Sequence, residues 1–241
     1  MTYPSPSRET LLGRRVAVLD KGWIELQDLM GDDLAIVNAA RVSFLGESKG
    51  TERDRKLLLY LVQHRHTTPF EMVEFKFRVK CPIIVARQWM RHRTFSYNEL
   101  SRRYTEEDIE FYVPSVWRLQ ATDNKQASAG ELDAAEAAQL TAALQSHSEQ
   151  AFALYNRALE SGVAREMARM FLPHNLYTQF IAKVDAHNLM HFLRLRMAPD
   201  AQYEIRQYAW AIYEHFVKPA LPWTAEAFEK FILPTLGPLQ T

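Results

Sequence analysis

Residues 70–80 read FEMVEFKFRVK, taken together as one alternating run. Val73, Phe75, Phe77 and Val79 share one face, and Glu74, Lys76, Arg78 and Lys80 share the other. A period of two predicts a strand with one face in a core and one in water, the pattern of an antiparallel sheet. YTQFIAKV at 177–184 alternates in the same way and predicts a second strand. Two such strands exclude an all-helical bundle, and most of the remaining sequence carries helical spacing. The fold class is therefore α+β: a small antiparallel sheet flanked by several helices.

Residues 33–44 and 52–64 space their apolar side chains helically, with Asp and Thr available as caps. Pro69 in HTTPFE then interrupts the helix. PIIVARQWMRH opens on Pro82, which suits a first helical turn, and its helix delivers Gln88, Arg91 and His92 to its C-terminal end. The loop SYNELSRRY follows. Residues 119–150 shift to Ala, Gln, Ser and acid, predicting a mobile loop and a surface helix running to Glu160 and ending at Gly162. Further helices are expected at 164–171, about 186–196, 201–218 with Asp200 as cap, and from Thr224. No internal repeat or linker forces a boundary. One domain is expected over 16–241, with a helical insertion at about 119–150, after a loose extension at 1–15.

The most unusual composition is local. RQWMRHRTFSYNELSRRY, residues 87–104, holds Arg87, Arg91, Arg93, Arg102 and Arg103 against a single acid, Glu99. A solvated helix face mixes its signs. The whole chain of 241 residues has 29 Lys+Arg and 29 Asp+Glu, so the cluster is not part of a general basic surface for nucleic acid. It points to a pocket for an anion. The eight glycines, at 13, 22, 31, 46, 50, 130, 162 and 237, form neither G-x-G-x-x-G nor a P-loop. Phosphates would therefore be held by side chains, for which the arginine fork is suited. Residue chemistry leaves three readings open: a nucleotide pocket, a basic loop at a subunit interface, and an RNA patch.

Other classes are excluded more simply. No stretch reaches the roughly 18 apolar residues of a membrane span, and the N-terminus has no continuous apolar signal core. The one cysteine, Cys81, precludes an intramolecular disulfide framework and fits a reducing, cytoplasmic setting. Followed by Pro82 at the end of the alternating run, it reads as a buried, inert thiol.

RHRTFSYNELS at 91–101 resembles the R-H-R-x7-S signature of the flavin-dependent thymidylate synthases. HRHTTPFE, VARQW, SRRY, EFYVP, SGVAREMAR, LPHNLYTQF, NLMHFLRLR and AQYEIRQYA resemble that family too, in order, over roughly residues 16–226. The resemblance implies methylation of dUMP to dTMP, with 5,10-methylenetetrahydrofolate as carbon donor, FAD as cofactor and NADPH as reductant. It implies a homotetramer whose sites are shared between subunits. It places FAD against Ser43, Thr68, Arg91, His92, Arg93, Glu99, Asp185, Ala186, His187 and His191. It places dUMP against Gln88, Trp89, Met90, Arg91, Glu99, Leu100, Ser101, Arg102, Arg103, Arg169 and Arg196. Three anionic ligands converging on one cleft would account for the local excess of arginine.

The resemblance makes Arg196 the catalytic group, facing uracil and favouring ionisation at N3. A guanidinium stays charged and stabilises charge on the ring, so C5 becomes nucleophilic without a thiol. The plainer reading of Arg196 is a surface helix cation. Ser101 has no base at a recognisable spacing and reads as a ligand rather than a nucleophile. Where some members carry Asn-x-Arg and a later Asn, this chain has Asp185-Ala186-His187 and His191. His187 and His191 in HNLMH lack the glutamate of H-E-x-x-H, and no metal is expected. His64 and His66 either line the flavin cavity or cap a helix C-terminus, where cations are favoured.

Overall fold

The alternating run forms the middle of the sheet. The computed structural model describes residues 8–43, 45, 46, 48–105, 108–122, 124 and 128–236. The described chain opens on α1 (Arg8–Leu11), a hairpin of β1 (Arg15–Val18) and β2 (Gly22–Met30), then α2 (Asp33–Val42) and α3 (Thr51–Gln63). A 3-10 turn, Thr68–Met72, leads to β3 (Glu74–Pro82), α4 (Ile83–Trp89) and β4 (Ser96–Glu99). The separate hairpin β5 (Arg118–Gln120) and β6 (Ser128–Glu131) precedes α5 (Ala134–Glu160) and α6 (Arg165–Ala168). The 3-10 turn Arg169–Phe171, β7 (Tyr177–Asp185) and α7 (Ala186–Arg196) come next. A final helical run comprises α8 (Tyr203–Ile212), the π turn Tyr213–Val217, α9 (Lys218–Ala220) and α10 (Pro222–Phe231).

Five strands form one antiparallel sheet in the order β1-β2-β3-β7-β4. The register sets Phe75 opposite Val184, Phe77 opposite Ala182 and Val79 opposite Phe180, so the two predicted strands bury the same face together. That face packs with Phe192 and Leu193 of α7, Tyr208 and Ile212 of α8, and Phe228 of α10. Each large side chain so buried contributes about 1.5–3 kcal/mol. The opposite face is charged: Lys183 pairs with Glu74 at 2.8 Å and Arg78 donates to Gln179. Lys80 is the exception, buried with its ammonium between Asp108 (2.9 Å) and Glu110. Burial opposes its charge, but the bonds to Glu110 and Asp108 outweigh it and raise its pKa.

Several expectations are corrected. Phe70–Met72 belongs to the 3-10 turn rather than the strand, because Pro69 fixes φ at its start. Residues 96–99, expected as loop, pair with β7 at the sheet edge; there, three of the four side chains are exposed and leave no alternation to read. The hairpin at 15–30 is absent from the sequence expectations. A bulge between Leu26 and Asp28 breaks its period, and at its turn Gly22 has no room for a Cβ, which would lie 2.0 Å from the Tyr208 hydroxyl. The expected boundary at 15/16 falls inside packed structure, since Leu11 is buried and Arg15 begins β1; residues 1–7 lie outside the described residues. The helix expected over 33–44 ends at Val42, and Phe44 also lies outside them. Within the expected insertion, a hairpin occupies part of the predicted loop. Asp200 does not cap α8; Gln202 holds the cap position and makes no side-chain cap bond. No helix among the described residues is long and apolar enough to cross a membrane.

Candidate active site

Arg196 and His92, 104 positions apart in sequence, meet where α7 ends beside the turn after α4. The Arg196 Nε donates to His92 Nε2 at 3.0 Å. A cation at a helix C-terminus is favoured by the aligned carbonyl dipoles. Two features hold the turn. The Tyr97 hydroxyl lies 2.9 and 3.1 Å from the carbonyls of Trp89 and His92. Trp89 is fully buried, its ring 4.9 Å from Phe192. His92 packs against Phe192 at 4.9 Å, with His191 at 6.2 Å.

An Nε2 that accepts leaves the imidazole proton on Nδ1. Burial, then the charge of Arg196 and the nearby His191, push the His92 pKa down to about 4. The unfolded chain would titrate near 6.5. Burying His92 neutral therefore costs nothing above that pH, and stability is lost as pH falls from about 6.5 through 4. We expect nitrogen NMR at pH 6 to report a neutral, Nδ1-protonated His92 titrating near pH 4. A midpoint near 6.5 would contradict the buried contact.

The other nitrogens of Arg196 have no hydrogen-bond partner among the described residues. The residue lines a cavity of about 870 Å³ together with Gln88, Arg194, Gln202, Tyr203 and Glu204. Gln88 arrives from the last turn of α4. A fixed guanidinium beside an amide can bind a planar polar ring and stabilise negative charge on it.

A second cavity of about 330 Å³ gathers Glu99, Leu100, Ser101, Arg102 and Arg169. The Thr178 hydroxyl donates to Glu99 at 2.7 Å. Arg102 turns inward, donating to the carbonyls of Asp108 (2.9 Å) and Tyr177 (3.3 Å), and so anchors the segment instead of reaching outward. Arg103 is exposed with its guanidinium 3.8 Å from Glu166, and Arg169 donates to the Glu166 carbonyl.

The remaining expected residues are dispersed. Arg91 and Arg93 are exposed and make no ion pair with any described residue. Met90 caps the C-terminus of α4, and Ser43 that of α2. Thr68 begins the 3-10 turn that packs between α2 and α7. The Asp185 carboxylate is used at the start of α7, accepting from the Asn188 amide at 2.8 Å and its side chain at 2.6 Å. Ala186 is buried, His187 half-buried and His191 exposed. His64 and His66 cluster on the exposed ring of Tyr60, at 4.2 and 5.8 Å. Among the described residues, no group of three His, Cys, Asp or Glu side chains is placed to hold a metal ion. Cys81 is fully buried at the end of β3, and burial pushes its thiol pKa far up. Gln202, Glu204, Tyr112 and Arg118 are absent from the residues that sequence singles out. The available signal is an acid, Glu204, in register with Tyr208 and Ile212 on the buried stripe of α8.

Residues 25–223 match the family model described as thymidylate synthase complementing protein. The chain is 56% identical over 218 residues to a flavin-dependent thymidylate synthase of Thermus thermophilus, covering 90% of this chain and 79% of that one. It is 49% identical over 214 residues to the flavin-dependent thymidylate synthase of Thermosipho africanus, covering 89% and 93%. A crystal structure of the UMP/dUMP methylase PolB from Streptomyces cacaoi, bound with 5-Br dUMP, is similar with a TM-score of 0.81 and 36% identity. That match covers 90% of this chain and 98% of the other.

Proposed function

The chain belongs to the flavin-dependent thymidylate synthase family, and on that premise we propose that the cavity beside Arg196 takes the uracil of dUMP. The protein is a methyltransferase that converts dUMP to dTMP with 5,10-methylenetetrahydrofolate, FAD and NADPH. One observation carries the assignment of the cavity: the histidine of the RHR motif holds Arg196 by its Nε while the rest of the fork has no described partner.

Arg196 is the catalytic group. Its charge lowers the cost of negative charge spreading over N3 and O4, which makes C5 nucleophilic. Cys81, buried in the sheet, supplies no thiol to this cavity. Gln88 contacts the nucleotide directly, while Trp89 and Met90 shape the turn beside it, Trp89 through its backbone because its ring is in the core. Arg91, Leu100, Ser101, Arg103 and Arg169 hold its phosphate and sugar, and Arg102 holds that segment in place.

FAD, when bound, supplies the hydride that completes the methyl group. The donor set fits its pyrophosphate. Arg91 and Arg93 are exposed cations without a described acid, and such groups suit phosphate oxygens. Thr68, Ser43, His92, Glu99, the 185–187 turn and His191 complete this side of the site.

Within one chain Gln88 and Arg196 line one cavity, Glu99, Leu100, Ser101, Arg102 and Arg169 line another, and Arg91, Arg93 and Arg103 border neither. Met167, Met170 and Phe171 expose apolar side chains around Arg169, as on a surface covered by another copy. These features support a homotetramer with shared sites. FAD bound only by the assembly would stabilise it by mass action. Purified protein should be yellow or become so on adding FAD, light scattering should report a tetramer, and FAD should raise the melting temperature. Protein that takes up no FAD would remove the cofactor assignment. A monomer that binds FAD tightly and makes dTMP would overturn the shared site.

A further inference from the structure

Glu204 lies near the start of α8, is only 4% exposed, and has no part in the roles assigned above. Its Oε1 accepts from the Tyr112 hydroxyl at 3.1 Å and from the guanidinium of Arg118, which also lies over the Tyr203 ring. Its Oε2 accepts from Gln202 Nε2 at 2.8 Å. Gln202 Oε1 in turn accepts from Gln88 Nε2. Burial disfavours the charge of Glu204, but Arg118 and Gln202 outweigh it and hold its pKa below the ordinary carboxylate value.

The two ends of an amide side chain have nearly the same shape, so its partners decide which way it faces. A carboxylate only accepts. Gln202 must therefore turn its NH2 toward Glu204 and its oxygen toward Gln88. Gln88 must then turn its NH2 toward Gln202, which leaves its carbonyl oxygen for the cavity it shares with Arg196.

We propose that Glu204 is a positioning residue whose charge, relayed through Gln202, presents the Gln88 carbonyl as a fixed acceptor for a nucleotide N–H or O–H. The inference rests on reading this cavity as the dUMP site. With the cationic donor Arg196 nearby, the cavity then offers both a donor and an acceptor, which suits a ligand carrying an imide or hydroxyl hydrogen close to a carbonyl. Removing the charge breaks the sequence. In Glu204→Gln, Arg118 claims the one remaining carbonyl oxygen. The introduced NH2 then faces Gln202, and both following amides reverse.

The test is a double-mutant cycle on FAD-loaded protein, with dUMP binding followed by calorimetry. Glu204→Gln and Gln88→Ala should each weaken dUMP binding about tenfold, the scale of one net hydrogen bond. The double variant should bind no more weakly than Gln88→Ala alone, because Glu204 acts only through that amide. At saturating dUMP, kcat of Glu204→Gln should stay within about threefold of the parent, since Arg196 is untouched. Losses that multiply to about a hundredfold, or unchanged affinity in Glu204→Gln, would overturn the proposal. If that variant does not fold, Gln202→Leu keeps Glu204 with Arg118 and Tyr112 and removes no helix cap. It should show the same tenfold loss and the same lack of additivity, and parental affinity there would overturn the relay. Repeating the cycle with 2′,3′-dideoxyuridine monophosphate separates the donors: a Gln88→Ala effect that persists points to the ring N–H, and one that disappears points to the sugar hydroxyl. Parent protein that binds no dUMP would defeat the reading of the cavity itself, a result distinct from all of these.

Discussion

Arg196→Lys should lower the rate of dTMP formation by about 10²–10³-fold while FAD binding and the melting temperature stay close to the parent values. That range is what loss of one preorganised charge stabiliser typically costs. Lysine keeps the charge and loses the shape. The guanidinium gives its Nε to His92 at 3.0 Å and still has two further nitrogens for a planar ring edge. One ammonium has no such fixed fork; if it turns to His92 it leaves the cavity, and if it enters the cavity it releases His92. Steady-state turnover of FAD-loaded protein at saturating dUMP decides the matter. A rate within about threefold of the parent would mean a change under about 1 kcal/mol in the barrier, too little for the activating group.

The largest effect on stability is expected at a residue that does not line this cavity. Asp33, the first residue of α2, is fully buried and accepts three hydrogen bonds from the start of α10. The donors are the Trp223 amide (2.7 Å), the Thr224 amide (3.2 Å) and the Thr224 hydroxyl (2.6 Å). Leu221, at the cap position of α10, makes no side-chain cap bond, so the helix is capped by a residue 190 positions earlier. Asp33→Ala strands buried donors and should cost about 3–5 kcal/mol. For a chain of this size that is a fall of about 10 °C in melting temperature. A loss under about 1 kcal/mol in denaturant unfolding would show that solvent replaces the carboxylate. Because α10 packs against α3 and α2, the damage should appear as one cooperative transition at lower denaturant.

Much of the fold is legible because its cause is local. The run from Val73 to Lys80 alternates because one face lies in the core, and that record survives wherever a strand has two different sides. β7 and α7 carry equally plain periods and fall within one residue of the expected limits. β4 reads as loop because an exposed edge strand needs no apolar alternation. The β1–β2 hairpin escapes a periodicity reading because a bulge interrupts the pattern partway along β2. Asp200 has the right chemistry for a cap but stands two residues before the position that needs one.

For the site, RHR-x7-S and its flanking segments were enough to identify the family, and the resemblance marked Arg196 within it. The sequence also raised the expectation that phosphates would be held by arginine side chains, since it has neither G-x-G-x-x-G nor a P-loop. Tertiary structure sets which charged groups meet. It joined His92 to Arg196, turned Arg102 inward to two carbonyls, and put Glu204 at the head of a chain of amides reaching Gln88. It also gave α10 a cap from α2. The physical reason is the range of the constraints. Periodicity is set by neighbours three or four residues away, or two in a strand, so it is written along the chain. A buried donor or acceptor must find a partner wherever the fold brings one, and that partner leaves no mark at any fixed spacing.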